Sequence, residues 1–312
     1  MDDFCIYLAT YAGDYQYAKV ACQSIRYFCG DAVPIVLVKD GDFDTSQLES
    51  LPNISSLDSR GMPDITRRFP HNMNKLKLFY DQRYARFLYL DADIVLVANM
   101  LALPYREVDF YVPATHENLT DPQTRINVSY VVMDLDQLRV FDPDFPQDSM
   151  ISFNTGAFFG IKTPAILPDL ERAVLHRLEH KELLFRRYDQ GLINYVFNKV
   201  ALRGDITLGG THFTITPPWE TESKFPALTR ESMLARTFTE RVLIHYTTPS
   251  RRLLFRQFPF AFAPMTFYRQ YYDRFPPSVR LQDELTAAPR LARKAVKFYG
   301  RRARLWLRSR RA

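Results

Sequence analysis

The amino-acid sequence predicts an α/β protein whose sheet is mostly parallel and is flanked by helices. Strand-like and helix-like segments alternate through the first half of the chain, which is typical of this class. The strand-like segments are apolar almost throughout, as in sheets that are covered on both faces. In addition, two carboxylates, Asp91 and Asp93, directly follow one of these strands. Open α/β sheets bind their ligands beyond the carboxyl ends of the strands.

Local patterns predict the individual elements. Short apolar runs rich in β-branched and aromatic side chains predict strands at FCIYLAT (4–10), PIVLV (34–38), RFLYL (86–90), SFNTGAFFGIK (152–162) and RVLIHY (241–246). Helices are predicted over 14–28, from Asn74 (NKLKLFYDQ), from about Asp169 after Pro168, and from Asp189. The stretch 104–150 is polar and weakly patterned, with weak apolar runs at DFYVP and VSYVVM. A stretch of this length can hold a loop over a functional site.

Size and composition are those of a folded globular protein. The 312 residues suit one large domain or two smaller ones, with 46 % apolar and 24 % charged residues. The chain has no apolar run of the roughly 18 residues needed to span a membrane, and its N-terminus does not resemble a signal peptide. Cys5, Cys22 and Cys29 lack metal-ligand spacing, so we expect reduced thiols in a cytoplasmic protein.

The positive charge of the chain is concentrated at its C-terminus. From Arg290 onward there are ten Lys and Arg residues and no acid, whereas the rest of the chain has 31 cations against 35 acids. Leu, Phe and Trp lie among these cations, which predicts a basic amphipathic helix, interrupted by Gly300, on an anionic membrane surface. A solvated tail and non-specific nucleic-acid binding are the alternatives. We favour the membrane and expect no specific nucleic acid.

The Asp91–Asp93 pair suits a hard divalent cation, because Mg²⁺ and Mn²⁺ prefer oxygen ligands. An ion that bridges a pyrophosphate stabilises the charge of a departing nucleotide diphosphate. His245, at the end of another predicted strand, is the candidate third ligand. A solvated turn is the alternative for the pair. A phosphatase-type nucleophile is disfavoured, because Ile94 and Val95 follow without a hydroxyl.

The segment NKLKLFYDQRYARFLYLDADIVLV (74–97) resembles the central block of the retaining GT-A glycosyltransferases of glycosyltransferase family 8, which include glycogenin and bacterial lipooligosaccharide galactosyltransferases. Further segments agree in the same order, namely LATYAGDYQYAKVACQSI, FNTG (153–156), DQG with Asn194, and HY at His245. The resemblance spans about 4–253. It implies a Rossmann-like GT-A fold, with a nucleotide-sugar-binding catalytic domain over 1–260 and a packing segment with the basic tail over 261–312.

The resemblance also implies a donor site for a UDP-sugar with Mn²⁺ or Mg²⁺. Asp91, Asp93 and His245 would hold the ion. Asp189 and Gln190 would be the catalytic residues, with Asp189 on the sugar hydroxyls and Gln190 next to the anomeric carbon. The residues implied in binding the donor, with Tyr17 stacked on the base, are Ala9, Thr10, Tyr17, Lys75, Asp91, Ala92, Asn154, Thr155, Gly156 and Arg251.

Two parts of the sequence depart from the family pattern. The family's last motif is His-x-x-Gly-x-x-Lys-Pro-Trp, whereas HYTTPSRRL has Thr248 for Gly, Arg251 for Lys and no Pro-Trp. An Arg can still pair with a diphosphate. The first strand has Thr10 and Tyr11 where the family has an acid beside the base. A non-catalytic sugar-nucleotide-binding protein is therefore the alternative to an enzyme. A nucleotidyltransferase ranks last, because its Gly-rich phosphate loop is missing.

In function, the resemblance implies a metal-dependent hexosyltransferase that uses a UDP-sugar and retains the anomeric configuration. The sequence assigns no Asp or Glu as nucleophile, so the departing diphosphate is expected to stay on the acceptor's face and take its proton. The acceptor is expected to be a glycan or a lipid-linked glycan. Together with the basic tail, this suggests lipopolysaccharide biosynthesis by a cytoplasmic protein on the inner face of the membrane.

Overall fold

The computed structural model describes residues 3–69, 73–113, 128–129, 132–180, 183–185, 189–215, 242–245, 274–283 and 285. Strands β1 to β10 span Phe4–Tyr11, Ile35–Asp40, Ile54–Ser56, Arg86–Asp91, Ile94–Leu96, Phe110–Val112, Ala157–Ile161, Leu208–Gly210, Thr214–Ile215 and Leu243–His245. Helices α1 to α5 span Tyr15–Cys29, Ser46–Glu49, Leu135–Phe141, Leu167–His180 and Asp189–Leu202. Short 3₁₀ helices span Asp64–Arg68, Asn74–Tyr80, Met100–Ala102, Tyr105–Glu107, Gln147–Ser149 and Pro164–Ile166.

The main sheet has seven strands in the order β3-β2-β1-β4-β7-β6-β8. Strands β3, β2, β1 and β4 run parallel, and β8 runs parallel to β6. Among the described strands of this sheet, only β7 runs antiparallel to its neighbours, β4 and β6. The mostly parallel α/β sheet that the sequence predicts is therefore confirmed.

Both faces of this sheet are buried. Along β1, Phe4, Ile6 and Leu8 belong to one apolar cluster, together with much of α1, whereas Cys5 and Tyr7 belong to a second cluster on the other face. Successive side chains of a strand point to opposite faces, so an apolar residue at nearly every position indicates cover on both sides. The uninterrupted apolar strands of the sequence follow from this double burial.

A change of direction in the strand order locates the ligand edge of the sheet. The chain moves outward from β1 through β2 to β3, then returns to place β4 on the other side of β1. Ligands of such sheets bind beyond the carboxyl ends of the strands at this switch point. Ala9, near the end of β1, pairs with Asp91 at the end of β4, so the two strands end side by side.

A second, three-stranded sheet has the order β5-β10-β9. Strand β10 runs antiparallel to β5, with His245 opposite Ile94 and Leu243 opposite Leu96. Strand β5 is also tied to α1, because the Leu96 amide donates to the Ser24 hydroxyl at 3.1 Å. Since β5 follows the Asp91–Asp93 turn directly, this small sheet brings a distant part of the chain to the ligand edge.

Two predicted segments differ from expectation. Asn74–Tyr80 forms a 3₁₀ helix, in which Lys75 and Leu78, and likewise Leu76 and Phe79, are buried at a spacing of three residues. The stretch 104–150 also differs in containing helix α3, whereas β6 lies within the weak apolar run DFYVP. Residues 114–127 and 130–131, where a loop over the site was expected, lie outside the described residues. Helix α3 begins after Asp134, whose side chain accepts from the Asp136 and Gln137 amides as an N-cap.

Within the described part of the chain, no helix has the length and apolar character that would let it cross a membrane. The basic tail predicted from Arg290 onward lies outside the described residues. Of the described C-terminal residues, 274–283 and 285, Phe275 and Asp283 contact the α1 side. Phe275 contacts the apolar cluster there. The buried Lys19 ammonium lies 2.5 Å from Asp283 Oδ1 and 2.8 Å from Gln47 Oε1.

The Lys19–Asp283 ion pair is expected to hold this C-terminal segment on α1. Asp283→Ala removes the carboxylate and leaves the Lys19 ammonium, only 1 % exposed, without its ion partner. A buried charge that loses its partner is costly, so the free energy of unfolding should fall by about 3 kcal/mol. Urea unfolding followed by circular dichroism measures the change.

The matched control is Asp58→Ala, which breaks the exposed pair that Asp58 makes with Arg60 at 2.8 Å. This change should leave the free energy of unfolding nearly unchanged, because water screens an exposed pair. Equal effects of the two substitutions would show that Asp283 does not anchor the segment.

Candidate functional site

The site is built where β1 and β4 end. Asp91 is the last residue of β4, and Ala92 and Asp93 form the turn into β5. The Asp91 side chain is 27 % exposed and that of Asp93 only 1 %. The Asp91 amide donates to the Gly156 carbonyl at 2.7 Å, which ties this turn to the one before β7.

His245 joins the two carboxylates through the pairing of β10 with β5. Because His245 lies opposite Ile94, its ring is placed beside the preceding residue, Asp93. Nε2 of His245 is 3.5 Å from Asp93 Oδ1 and 4.0 Å from Asp91 Oδ2. One ligand atom from each of Asp91, Asp93 and His245 lies within 4.8 Å of the others, so these three residues could hold a metal ion.

The donor set fits a divalent cation. Two carboxylates and an imidazole suit first-row transition ions such as Mn²⁺, and carboxylate oxygens also suit Mg²⁺. Residues 93 and 245 are far apart in the sequence, and the register of β10 on β5 brings their ligand atoms together. The predicted third ligand is therefore beside the carboxylates.

Gly156 makes room for the His245 ring. A Cβ built on Gly156 would collide with Cε1 of His245 and lie 2.8 Å from its Nδ1 and 2.9 Å from Asn154 Oδ1. The Gly156 amide donates to Asn154 Oδ1 at 2.8 Å. Asn154 thus closes the turn that presents Gly156 to the imidazole. The sequence signal, Asn-Thr-Gly, pointed to this place but did not indicate the steric reason.

Lys75 connects the carboxylate turn to helix α5. Its buried Nζ lies 3.2 Å from Asp91 Oδ1, 2.8 Å from Asp189 Oδ2 and 3.4 Å from the Thr155 carbonyl. Burial would by itself lower the pKa of Lys75, but Asp189 and Asp91 outweigh this effect and raise the pKa above its usual value. The amine is therefore a permanent cation between two carboxylates.

Asp189 is held from a second side by Thr155. The Thr155 hydroxyl donates to Asp189 Oδ2 at 2.8 Å and is 3 % exposed. Asp189 and Gln190 form the start of α5. The Gln190 carbonyl accepts from Asn194 Nδ2 at 2.9 Å, and its side chain is half-buried. Thr155 was predicted to bind the donor, and in the structure its hydroxyl holds a carboxylate.

Two asparagines on α5 fix the segment before β7. The sequence did not indicate this role for either residue. Asn194 accepts from the Phe153 amide at 3.0 Å and donates to the Phe153 carbonyl at 2.9 Å. Asn198 makes the same pair of bonds with Ile151, at 2.7 and 2.9 Å. Both are buried. Their spacing of four residues on an otherwise apolar helix was the available signal, because buried amides must be satisfied.

Tyr89 is a further residue that sequence reasoning missed. It is fully buried, its hydroxyl donates to Asp91 Oδ1, and Lys75 Nζ lies 4.8 Å from its ring centre. Burial, and then the charges of Asp91 and Asp189, raise the pKa of Tyr89 far above its usual value. Its hydroxyl therefore stays protonated and donates a hydrogen bond.

The residues predicted to bind the nucleotide base do not all lie at one place in the structure. Ala9 lies beside Asp91. The Thr10 hydroxyl turns to Asp14 Oδ1 at 2.9 Å, and the Tyr11 amide donates to the same oxygen at 2.8 Å, so an acid does lie at this end of β1. Tyr17 is 3 % exposed and belongs to the apolar cluster beneath α1. Arg251 lies outside the described residues.

No protein-family profile matches the sequence, and no curated protein matches it at significant similarity. Solved structures match it by fold. The galactosyltransferase LgtC, in complex with donor and acceptor sugar analogues, has a TM-score of 0.54 at 15 % identity, over 88 % of this chain and 98 % of LgtC. The fold is that of the GT-A glycosyltransferases.

Two further structures agree. The apo form of the bifunctional glycosyltransferase WbbM has a TM-score of 0.55 at 12 % identity, over 91 % of this chain and 52 % of WbbM. The glycosyltransferase GlyE of Streptococcus pneumoniae TIGR4 has a TM-score of 0.52 at 12 % identity, over 92 % of this chain and 64 % of GlyE. The chain thus spans about half of WbbM and less than two thirds of GlyE, and the likeness concerns the fold.

The close approach of Gly156 to His245 predicts a specific effect on metal binding. Gly156→Ala places a methyl group against the imidazole, so the ring must move away from Asp91 and Asp93. The affinity for Mn²⁺, measured by isothermal titration calorimetry without nucleotide, should fall at least about tenfold, because ligand orientation tunes metal binding by such factors.

Gly160→Ala is the matched control for this change. A Cβ there would lie 2.6 Å from Phe110 Cε1 and from Phe87 Cζ, in the core. Both substitutions should lower the free energy of unfolding by about 1–3 kcal/mol through overpacking. Only Gly156→Ala should weaken Mn²⁺ binding, and an equal loss in both variants would contradict the role given to Gly156.

Proposed function

We propose that this chain is a metal-dependent glycosyltransferase that moves a hexose from a UDP-sugar to a glycan or lipid-linked acceptor with retention of configuration. The observation that carries the proposal is the placement of Asp91, Asp93 and His245 at the switch point of a GT-A fold, beside the Lys75–Asp189 ion pair. A cation site next to a fixed cationic side chain suits a substrate that carries a diphosphate.

Asp91, Asp93 and His245 would hold a divalent ion, Mn²⁺ or Mg²⁺. When bound, the ion supplies positive charge that stabilises the departing nucleotide diphosphate. Asp93 is already buried, and the absence of a side chain at Gly156 leaves space for the His245 ring, so the ligand residues are preorganised. Ala9 and Ala92, which lie beside Asp91, would line the nucleotide without adding charge.

Lys75, Asp189 and Gln190 would act on the donor sugar. Lys75 keeps its charge and fixes Asp91 and Asp189 relative to each other. Asp189 would accept hydrogen bonds from the sugar hydroxyls, and Gln190 would lie near the anomeric carbon. Asn154 and Gly156, in the turn that contacts His245, would border the same sugar. Prepositioned groups of this kind act by orientation and by electrostatic stabilisation.

In the transfer step, the bond between the anomeric carbon and the diphosphate oxygen breaks and a bond to the acceptor oxygen forms. The transition state is oxocarbenium-like. Both bonds lie on the same face of the sugar, so configuration is retained. An oxygen of the departing diphosphate takes the acceptor's proton. Asp189, one of whose oxygens is held by Lys75 and Thr155, would stabilise the developing positive charge on the sugar.

The acceptor and the location are inferred from the basic C-terminal sequence. Ten cations interleaved with Leu, Phe and Trp favour attachment to an anionic membrane surface. A growing lipopolysaccharide or a related cell-surface glycan on the cytoplasmic leaflet is then the acceptor that this tail would bring close. Arg251 remains a proposed contact to the diphosphate. Stacking of Tyr17 on the base would require its buried ring to become exposed.

The proposal predicts that Asp93→Asn abolishes transfer and metal-dependent UDP binding together. The substitution keeps the shape of the buried side chain and removes a charged ligand from the group with Asp91 and His245. Turnover of the preferred UDP-sugar should fall about 1000-fold or more, because an ion contributes several kcal/mol and each 1.36 kcal/mol is a factor of ten. Release of UDP from a panel of nucleotide sugars, with Mn²⁺ and with EDTA, measures this.

Asp142→Asn is the control, because Asp142 is also buried and ion-paired, with Lys199 at 2.8 Å, outside the site. It should keep transfer and UDP binding. Retained transfer in Asp93→Asn would refute the metal-dependent mechanism. Metal-dependent binding of UDP without release from any donor would instead identify a non-catalytic sugar-nucleotide-binding protein.

A further inference from the structure

Tyr89 has no place in the transfer step proposed above, yet it contacts the centre of the site. It lies on β4 two residues before Asp91, so both side chains point to the same face of the sheet. Its ring is fully buried and stacks on Phe158, the opposite residue on β7, with ring centres 5.1 Å apart. This packing holds the ring beside Asp91.

The two oxygens of Asp91 have different surroundings. Oδ1 accepts from the Tyr89 hydroxyl and lies 3.2 Å from Lys75 Nζ. Oδ2 points to the other side, 4.0 Å from Nε2 of His245. A carboxylate that receives two donors on one oxygen is fixed about its terminal torsion, which is otherwise broad. The other oxygen then faces the ligand group of Asp93 and His245.

We infer that Tyr89 is a positioning residue that holds Oδ1 of Asp91 and so presents Oδ2 to the cation and the donor. The inference rests on the proposed function, since it assigns Tyr89 to the metal site of that function. Lys75 alone would fix the Asp91 carboxylate less firmly, because its ammonium also contacts Asp189 at 2.8 Å and lies at the end of a long side chain. Tyr89 adds a rigid, neutral donor that serves only Asp91 among the described residues.

The chain contains a matched trio of residues outside the site. Tyr195 is also fully buried, and its hydroxyl donates to Asp142 Oδ2 at 2.7 Å. Lys199 Nζ lies 2.8 Å from the same Asp142 oxygen. Tyr195→Phe therefore removes the same hydroxyl from the same kind of Tyr–Asp–Lys contact, without touching Asp91, Asp93 or His245.

The test compares Tyr89→Phe with Tyr195→Phe in the full-length protein. Phe fills the space of the ring, so both variants should fold and lose similar stability in urea. Mn²⁺ binding is measured by isothermal titration calorimetry without nucleotide. Tyr89→Phe should raise the Kd for Mn²⁺ about 10- to 100-fold, the usual cost of losing a group that orients a metal ligand. The Kd of the Tyr195→Phe variant for Mn²⁺ should stay within about twofold of the wild-type value.

A kinetic measurement separates positioning from catalysis. At saturating Mn²⁺, Tyr89→Phe should recover a kcat close to that of the wild type, while its requirement for Mn²⁺ stays raised. A kcat that stays low at saturation, or a Kd for Mn²⁺ within twofold of the wild type while Asp93→Asn abolishes binding, overturns the inference. Equal weakening in Tyr89→Phe and Tyr195→Phe also overturns it, because it indicates general loosening.

Failure of the proposed function gives a different result. In that case the wild type binds no Mn²⁺ and releases no nucleotide from any donor, and Asp93→Asn behaves like the wild type. Both the proposed function and the role of Tyr89 are then refuted. The calorimetry without nucleotide thus distinguishes an error about Tyr89 from an error about the function.

Discussion

The crowding of three carboxylates at one sheet edge is the constraint on which the rest of the structure depends. Asp93 is almost fully buried beside Asp91, and Asp189 shares the Lys75 ammonium with Asp91, so their like charges repel more than they would in water. The Lys75 ammonium offsets part of this repulsion by bridging Asp91 and Asp189. A divalent cation beside Asp91 and Asp93 would offset the rest. Binding of such a cation would therefore also stabilise the folded chain.

The sequence predicts the parts of the molecule that depend on local pattern. The central strands are recognisable because burial on both faces leaves almost every position apolar, as in RFLYL before Asp91. The carboxylate pair stands out because it interrupts such a run at the end of a strand. Helices α4 and α5 begin within two residues of the predicted starts, since Pro168 and Asp189 are helix-start signals. These elements determine the α/β fold and most of the candidate site.

The remaining features depend on contacts between distant residues, which no local pattern contains. His245 reaches Asp93 through the register of β10 on β5, and a shift of one residue would turn the ring to the other face. Thr155 binds Asp189 because the turn before β7 is fixed by asparagines on α5. In the sequence, Tyr89 cannot be distinguished from other aromatic core residues, because only the fold shows that its hydroxyl donates to Asp91.

The pairing of β10 with β5 also has a consequence for the order of assembly. During synthesis, Asp91 and Asp93 leave the ribosome long before His245. Until Leu243–His245 arrives, β5 lacks its antiparallel partner and the two carboxylates lack their imidazole. The group of Asp91, Asp93 and His245 is thus completed by β10, and a chain cut short before Leu243 would lack its imidazole. Binding of a cation by all three residues would therefore require a chain that extends at least to His245.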